Sequence, residues 1–356
     1  MYTEGFERMP TTIRVNSKGS EYSIKIRRGL IERLGIEILN LNEENDNEIL
    51  LITDEKVSGL YLHNVIMNVQ QCPKPEGTRM RICELLIESG EGAKNFSTVA
   101  KLLENMAALG LTKKCCIVAL GGGVVCDAAA WAAGCYMGGV KLVLVPTTLA
   151  AMIDSSVGGS AFLNLNAGKN LAGMSCNPSL VLCDIDSLKT LPPEEYKSGI
   201  SEAFKTALMF SEELFRIFER GKDEVNFYIE KIIEACIKFR AELNGERAKC
   251  IGYEIANAIE SLSDYKVSHG AALAEAIQIL VGISMKNSWC SEETYRRIIN
   301  AMKKNNLFIN YNSLNPELIA QTMSNGRDIE LNVLTEIGRC ETKKFNAEDL
   351  TRLINY

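Results

Sequence analysis

The sequence has very few histidines, and this limits the chemistry open to it. Only two, His63 and His269, occur among 356 residues, so the function cannot rest on a histidine-rich zinc site or a chain of imidazole proton relays. Basic residues are also outnumbered, with 39 Lys and Arg against 45 Asp and Glu and a net charge of −6. Nucleic acid and anionic membranes both require a basic field. We therefore expect neither as a partner.

Long apolar stretches and paired cysteine motifs are missing as well. The apolar runs are interrupted by Gly, Asp, Lys or Asn well before the roughly 20 residues that a membrane-spanning helix needs. None of the 12 cysteines belongs to a Cys-x-x-Cys pair, and the first residues do not resemble a secretion signal. We expect a cytoplasmic protein with reduced thiols and no transmembrane helix.

The patterns that are present predict two domains. Before residue 190, helical and strand-like segments alternate, with buried runs at 48–54 and 115–120, which predicts a parallel α/β sheet covered on both faces. After Pro192 and Pro193 the pattern changes to amphipathic helices. We predict an α/β domain over residues 1–190 and an all-helical (all-α) domain over residues 191–356.

A glycine-rich turn in the first domain indicates an anion site. Gly121, Gly122 and Gly123 follow a strand and precede an alanine-rich helix. Glycines let backbone N–H groups approach a phosphate, and a helix N-terminus adds partial positive charge. The same glycines could equally form only a tight strand-to-helix crossing. They match neither the Gly-x-Gly-x-x-Gly fingerprint nor a Walker loop.

More polar residues follow the next predicted strand. Thr147 and Thr148 end it, Asp154 stands shortly after, and Lys169 and Asn170 occupy a predicted turn. In an open parallel sheet the loops after the strands meet at one edge, where ligands bind. These residues therefore favour one ligand-lined crevice.

These motifs resemble those of the dehydroquinate synthase family and of the wider sugar phosphate cyclases. The resemblance rests on Gly-Gly-Gly-Val-Val-Cys-Asp at 121–127, Pro-Thr-Thr-Leu at 146–149, Asp-Ser-Ser-Val-Gly-Gly at 154–159, Gly-Lys-Asn at 168–170 and Leu-Lys-Thr-Leu-Pro-Pro at 188–193. It implies a dehydroquinate synthase-like fold, with an NAD-binding α/β domain followed by a helical metal-binding domain. In the family, NAD oxidises an alcohol of a sugar phosphate, phosphate is eliminated, the ketone is reduced again and the ring closes, assisted by zinc or cobalt.

The resemblance also assigns residues to the site. It implies NAD contacts for Asp54, Glu91, Lys94, Gly121, Gly122, Gly123, Asp127, Thr147, Thr148, Asp154, Lys169 and Ser187. It implies catalytic roles for Lys205, Asp154, Lys169 and Asn170. Glu202 and His269 match two of the three metal ligands of the family.

The sequence departs from the family at the third metal ligand and at several cations. Tyr253 replaces the third ligand, a histidine, and Asn257 replaces a histidine that handles protons. A phenol with a pKa near 10 is a poor zinc ligand at neutral pH. Glu254, Glu260 or Glu275 could instead complete an oxygen-rich site, or form a solvated or salt-bridged helix face. Gly138 and Ser160 stand where the family has an arginine and a lysine, which implies an altered substrate or reduced activity.

Three functions remain open. The first is an NAD-dependent sugar phosphate cyclase, a carbon–oxygen lyase that regenerates its NAD. The second is an inactive NAD-binding paralogue that partners a competent cyclase, and the third is an NAD-linked polyol dehydrogenase that accumulates NADH. The resemblance implies a sugar phosphate ligand and either a homodimer or a heterodimer with a paralogue. The cyclase is our leading prediction.

Overall fold

The computed structural model describes residues 10–17, 20–41, 48–72, 80–243, 250–264, 266–308, 315–324 and 327–354. The chain divides into two compact units, Met1–Leu191 and Pro192–Tyr356. The boundary expected from the sequence follows residue 190.

The first unit is built on a seven-stranded sheet. The strands of the whole unit in the described residues, seven in this sheet and two outside it, are in chain order β1 (Thr11–Ser17), β2 (Ser20–Arg27), β3 (Glu48–Asp54), β4 (Arg81–Ile87), β5 (Cys115–Gly121), β6 (Lys141–Pro146), β7 (Ser160–Leu165), β8 (Gly168–Ser175) and β9 (Leu180–Asp184). The order across the sheet is β1-β2-β9-β6-β5-β3-β4, in which β1 and β2 pair antiparallel and the other neighbours pair parallel. β7 and β8 form a separate antiparallel hairpin.

Five helices of this unit connect the strands in the described residues. They are α1 (Leu34–Leu39), α2 (Glu55–Val57), α3 (His63–Gln71), α4 (Phe96–Ala108) and α5 (Gly123–Cys135). All seven residues of β5 are buried, as expected for a central parallel strand with both faces covered. The parallel α/β architecture predicted from the sequence is confirmed.

The β7–β8 hairpin corrects the expectation that Lys169 and Asn170 lie in a turn. Both residues belong to β8. Asn170 nevertheless has a positive φ of 55°, a conformation that asparagine adopts more readily than most residues. Gly and Asn are turn formers, so their presence here indicates a turn although the chain continues as a strand.

The second unit consists mainly of helices. They are α6 (Pro193–Phe210), α7 (Glu212–Arg220), α8 (Lys222–Phe227), α9 (Ile229–Glu242), α10 (Tyr253–Leu262), α11 (His269–Lys286), α12 (Glu292–Lys304), α13 (Pro316–Ser324) and α14 (Ala347–Ile354). Their boundaries follow local chemistry, since a proline begins α6 and the hydroxyls of Ser211 and Ser291 cap α7 and α12. No helix in the described ranges is long and apolar enough to cross a bilayer.

A hairpin in the second unit corrects the expectation of helices alone. β10 (Ile329–Glu336) pairs antiparallel with β11 (Arg339–Phe345). Leu331 and Val333 are buried while their neighbour Asn332 is half-buried, which is the two-residue period of a strand. Gly338 takes the positive φ of the turn at 86°. The helical domain therefore carries one small antiparallel sheet.

Candidate functional site

The glycine-rich turn joins β5 to α5 with almost no free space. Gly121 ends β5, Gly122 is the N-cap of α5 and Gly123 begins the helix. A Cβ on Gly121 would lie 2.6 Å from Cγ2 of Val125, and one on Gly123 would lie 2.9 Å from Oγ of Ser155. Within the described residues no side chain caps this helix, so its first N–H groups need another partner. The turn has the geometry of an anion-binding helix N-terminus.

Asp127 on α5 forms a buried ion pair with Lys94. Nζ of Lys94 lies 2.5 Å from Oδ2 of Asp127 and donates to Oδ1 of Asn170 at 2.7 Å. Lys94 is 6% exposed and Asp127 is 2% exposed, so each charge depends on the other for compensation. Lys94 therefore joins the segment before α4 both to the first turns of α5, through Asp127, and to β8, through Asn170. Lys94, Asp127 and Asn170, predicted separately, thus meet at one point.

Asn164 on β7 extends this network, although the sequence analysis did not select it. Its Nδ2 donates to Oε1 of Glu91 at 2.8 Å, and its Oδ1 accepts from the backbone N of Asn170 at 2.9 Å. Its own backbone N donates to the carbonyl of Lys94 at 2.8 Å. Asn164 could have been selected from its position opposite Asn170, but only if the β7–β8 hairpin had first been predicted.

The other predicted nucleotide residues follow the ends of neighbouring strands. Asp54 ends β3, and its Oδ1 accepts from the backbone N of Lys56 at 2.9 Å and from Oγ of Ser89 at 3.2 Å. Thr147 follows β6 and donates its backbone N to the carbonyl of Gly121 at 2.9 Å. The ends of β5 and β6 are therefore joined directly.

Four more predicted cofactor residues are Thr148, Ser187, Asp154 and Lys169, and the hydroxyls of the first two form hydrogen bonds within local turns. Oγ1 of Thr148 accepts from the backbone N of Ala151 at 3.2 Å, and Oγ of Ser187 donates to the carbonyl of Asp184 at 2.7 Å. Asp154 belongs to the π-helical turn Ala151–Ser155, and Lys169 is the second residue of β8. Both of these last side chains are partly buried.

Four ionisable side chains of the second unit form what we term the charge cluster: Glu202, Lys205, Glu260 and His269. Oε1 of Glu202 lies 2.8 Å from Nε2 of His269, and Oε2 of Glu202 accepts from Nζ of Lys205. Nδ1 of His269 lies 2.6 Å from Oε1 of Glu260. The structure thus brings together three residues selected from the sequence, and it gives Glu260 a salt-bridged position.

The close approach of α6 and α11 explains this arrangement. His269 is the first residue of α11, and Glu202 and Lys205 lie one turn apart on α6. A Cβ on Gly270 would lie 2.2 Å from Cα of Ser198. A glycine after His269 therefore allows the two helices to pack with the ring against Glu202.

The electrostatics of the charge cluster favour a charged ring on His269. Burial opposes the charge, but the hydrogen bonds and negative charges of Glu202 and Glu260 outweigh it and raise the pKa of His269 to about 10. Glu202, Lys205 and Glu260 are buried, whereas the ring of His269 is 36% exposed. The ring is thus the accessible member of the charge cluster.

The residues present do not form the three-ligand metal site that the resemblance implies. Glu202 and His269 contact each other, and Tyr253 is the partly buried first residue of α10. In the part of the chain that the structure describes, no three His, Cys, Asp or Glu side chains are grouped to hold a metal ion. A catalytic zinc site uses three protein ligands. Of the three ligands, this chain keeps only Glu202 and His269 among the described residues, and these two side chains contact each other.

Comparisons with known proteins agree with the motifs. The model of the 3-dehydroquinate synthase N-terminal domain matches residues 84–198, and that of the C-terminal domain matches residues 199–328. The 3-dehydroquinate synthase of Alkaliphilus metalliredigens is 34% identical over 310 residues, which cover 83% of each chain.

Solved structures support the fold. A 2-deoxy-scyllo-inosose synthase complexed with carbaglucose-6-phosphate, NAD⁺ and Co²⁺ has a TM-score of 0.82 at 22% identity, covering 97% of this chain and 99% of its own. A 2-epi-5-epi-valiolone synthase from Streptomyces hygroscopicus with NAD⁺ and Zn²⁺ bound has a TM-score of 0.81 at 20% identity, covering 96% and 98%. At these identities the likeness concerns the fold. Taken with the family models and the sequence relative, it shows that the chain belongs to the 3-dehydroquinate synthase family.

Proposed function

We propose that this protein is an NAD-dependent sugar phosphate cyclase of the dehydroquinate synthase type, with a substrate less anionic than the usual one of the family. The observation that carries the proposal is the glycine turn at the N-terminus of α5, which has no room for added side chains and lies in the same unit as the buried pair of Lys94 and Asp127. Membership of the family, and NAD⁺ in two structures of the same fold, support this cofactor.

In this proposal the dinucleotide lies along the ends of the parallel strands. The pyrophosphate binds the first turn of α5, where only glycine leaves room for the backbone to approach it. Lys94 is neutralised by Asp127, so its role is to fix α5 and the β7–β8 hairpin rather than to act as a free cation. Asp54 at the end of β3 serves the adenosine side.

The charge cluster would act on the reacting oxygens of the substrate. When bound, NAD would supply reversible hydride transfer with the substrate, so that no net NADH would form. The accessible ring of His269 would supply positive charge toward those oxygens, whereas the buried ammonium of Lys205 neutralises Glu202 within the charge cluster. Glu202 and Glu260 hold the ring by its two nitrogens and fix its orientation.

The lost cations support a substrate that carries less negative charge. Gly138 adopts a positive φ of 77° in the turn before β6, and Ser160 begins β7. Neither can provide the charge-assisted hydrogen bond that an arginine or lysine gives to a carboxylate or phosphate. A sugar phosphate without a carboxylate therefore suits this chain better than one with both groups.

The test is a screen of sugar phosphates, with and without a carboxylate, using the full chain and NAD. We expect release of inorganic phosphate without accumulation of NADH, and we expect it from substrates that lack the carboxylate. Gly122→Val is the control, because an added Cβ would lie 3.2 Å from Cγ2 of Thr148 and the larger side chain should block NAD. Accumulating NADH would identify a dehydrogenase, and NAD binding without any turnover would identify an inactive paralogue.

The dimeric state and the cytoplasmic location implied by the sequence are part of the same proposal. Sedimentation analysis of the purified chain, alone and with a competent family member, tests whether it pairs with itself or with a paralogue.

A further inference from the structure

We propose that the charge cluster works without a divalent metal, because its carboxylate oxygens and ring nitrogens contact one another and Tyr253 replaces the third ligand. The action of the charge cluster on a substrate rests on the proposed function. The absence of a metal is tested separately, because metal content is measured independently of turnover.

The first argument is that the donor atoms are already used. Oε1 of Glu202 contacts the ring of His269, and Oε2 contacts the ammonium of Lys205. The ring has a carboxylate oxygen 2.6 Å from Nδ1 and another 2.8 Å from Nε2. Both ring nitrogens therefore already face a carboxylate oxygen within the charge cluster.

The second argument is the balance of charge. The charge cluster contains two carboxylates, Glu202 and Glu260, and two basic groups, Lys205 and His269. Three of the four side chains are buried, where an added double charge without matching ligands is strongly unfavourable.

The third argument is the missing ligand. Tyr253 occupies the position that supplies the third metal ligand in the family, and tyrosine is not among the usual zinc ligands, which are Cys, His, Asp and Glu. Glu260 contacts the other ring nitrogen of His269 from the one that faces Glu202, and within the described ranges no three His, Cys, Asp or Glu side chains are grouped to hold a metal ion.

The experiment measures metal content and Co²⁺ binding of the full chain, purified without chelator and loaded with excess Zn²⁺ or Co²⁺, with and without NAD. We expect wild-type protein to retain far less than one ion per chain and to show no visible absorption from tetrahedral Co²⁺. Tyr253→His restores a Glu and two His, and metal binding by this variant would show that only the ligand was lacking. Tyr253→Phe is its matched control.

Near-stoichiometric metal in the wild type that disappears in both Glu202→Gln and His269→Gln would overturn the proposal. Two variants are used so that misfolding of one, checked by circular dichroism, does not decide the result. Metal that survives both substitutions lies elsewhere and leaves the proposal intact. Phosphate release that needs added Zn²⁺ or Co²⁺ would also overturn it, whereas a chain without any turnover refutes the proposed function and leaves the metal result standing.

Discussion

At the scale of single residues, the glycine turn depends on the absence of a side chain at Gly121. All three nearest atoms to a Cβ there belong to the side chain of Val125, at 2.6 to 3.0 Å. We expect Gly121→Ala to lower the free energy of unfolding by about 1–3 kcal/mol through overpacking, and to weaken NAD binding. Urea denaturation and calorimetric NAD titration measure both effects.

Val125→Ala provides the matched test of this contact. Alone it leaves a cavity and should cost about 1–2 kcal/mol. Combined with Gly121→Ala it should restore part of the lost stability, because the new methyl group fills the space. Simple additivity of the two losses would contradict the steric explanation.

The buried pair of Lys94 and Asp127 gives a second prediction at this scale. Lys94→Met leaves a carboxylate that is 2% exposed without its cation, and we expect a loss of about 3–5 kcal/mol. The double variant Lys94→Met/Asp127→Leu removes both charges and should lose less than the single variant. Chemical denaturation compares them, and a double variant that is less stable than Lys94→Met would refute charge compensation.

At the scale of elements, α10 should make stability depend on pH through Glu254. Burial raises the pKa of Glu254 from 4.5 to about 7, against a smaller opposing effect of a backbone hydrogen bond. The folded chain therefore binds more protons than the unfolded chain between these values, and the free energy of unfolding falls as pH rises through this window.

Glu254→Gln removes that dependence. We expect this variant to gain on the order of 1–3 kcal/mol over the wild type at pH 8 and little at pH 4. Urea denaturation of both proteins at several pH values measures the difference. An equal difference at every pH would show that Glu254 titrates normally in the folded protein.

Arg297 joins two helices of the second unit. Its Nε and Nη2 bind the two carboxylate oxygens of Glu219, and Nη2 also donates to Glu212, so the side chain connects α12 to α7. Lysine cannot reproduce this planar fork. We expect Arg297→Lys to lower the unfolding free energy by about 1 kcal/mol.

Arg296→Lys is the control for this prediction. Arg296 pairs with Glu292 on its own helix, α12, and the two side chains are 69% and 65% exposed. Such a surface pair contributes about 0–1 kcal/mol, so this substitution should be nearly neutral in thermal denaturation. Equal losses from both substitutions would mean that the link between α7 and α12 adds nothing.

Most elements could be predicted from the sequence because their patterns are local. The apolar run of β5 and the serine caps of α7 and α12 are readable without knowledge of the rest of the chain. The β7–β8 hairpin was missed because Gly168 and Asn170 are turn formers within a strand, and β10 was missed because it follows a long series of helices. In both cases pairing with a neighbouring strand overrides the local signal.

The candidate site was predictable as a set of residues and not as a set of contacts. Motifs selected Lys94, Asp127 and Asn170, but their meeting depends on the β7–β8 hairpin. Glu260 was seen only as one of several acids near Tyr253, because nothing in its spacing places it against His269. Contacts between residues far apart in the chain arise from packing, which short motifs do not encode.

At the scale of the whole molecule, a bound dinucleotide should protect one part of the chain. A ligand at about 100 times its Kd adds about 2.7 kcal/mol to the free energy of unfolding. We expect NAD to slow amide hydrogen exchange most in β5, the first turn of α5 and the segment around Lys94. Gly122→Val should abolish this protection, and protection confined to the second unit would place the dinucleotide elsewhere.

The strand order of the sheet has a consequence during synthesis on the ribosome. The β1–β2 hairpin reaches the rest of the sheet only through β9, where Ser23 pairs with Leu180. At 5–20 residues per second, translation reaches β9 roughly 8–30 s after β2. During that time the apolar side chains of Tyr22, Ile24 and Ile26, buried in the finished protein, are without their final partners. The nascent chain therefore offers a long interval for chaperone binding before its first strands can dock.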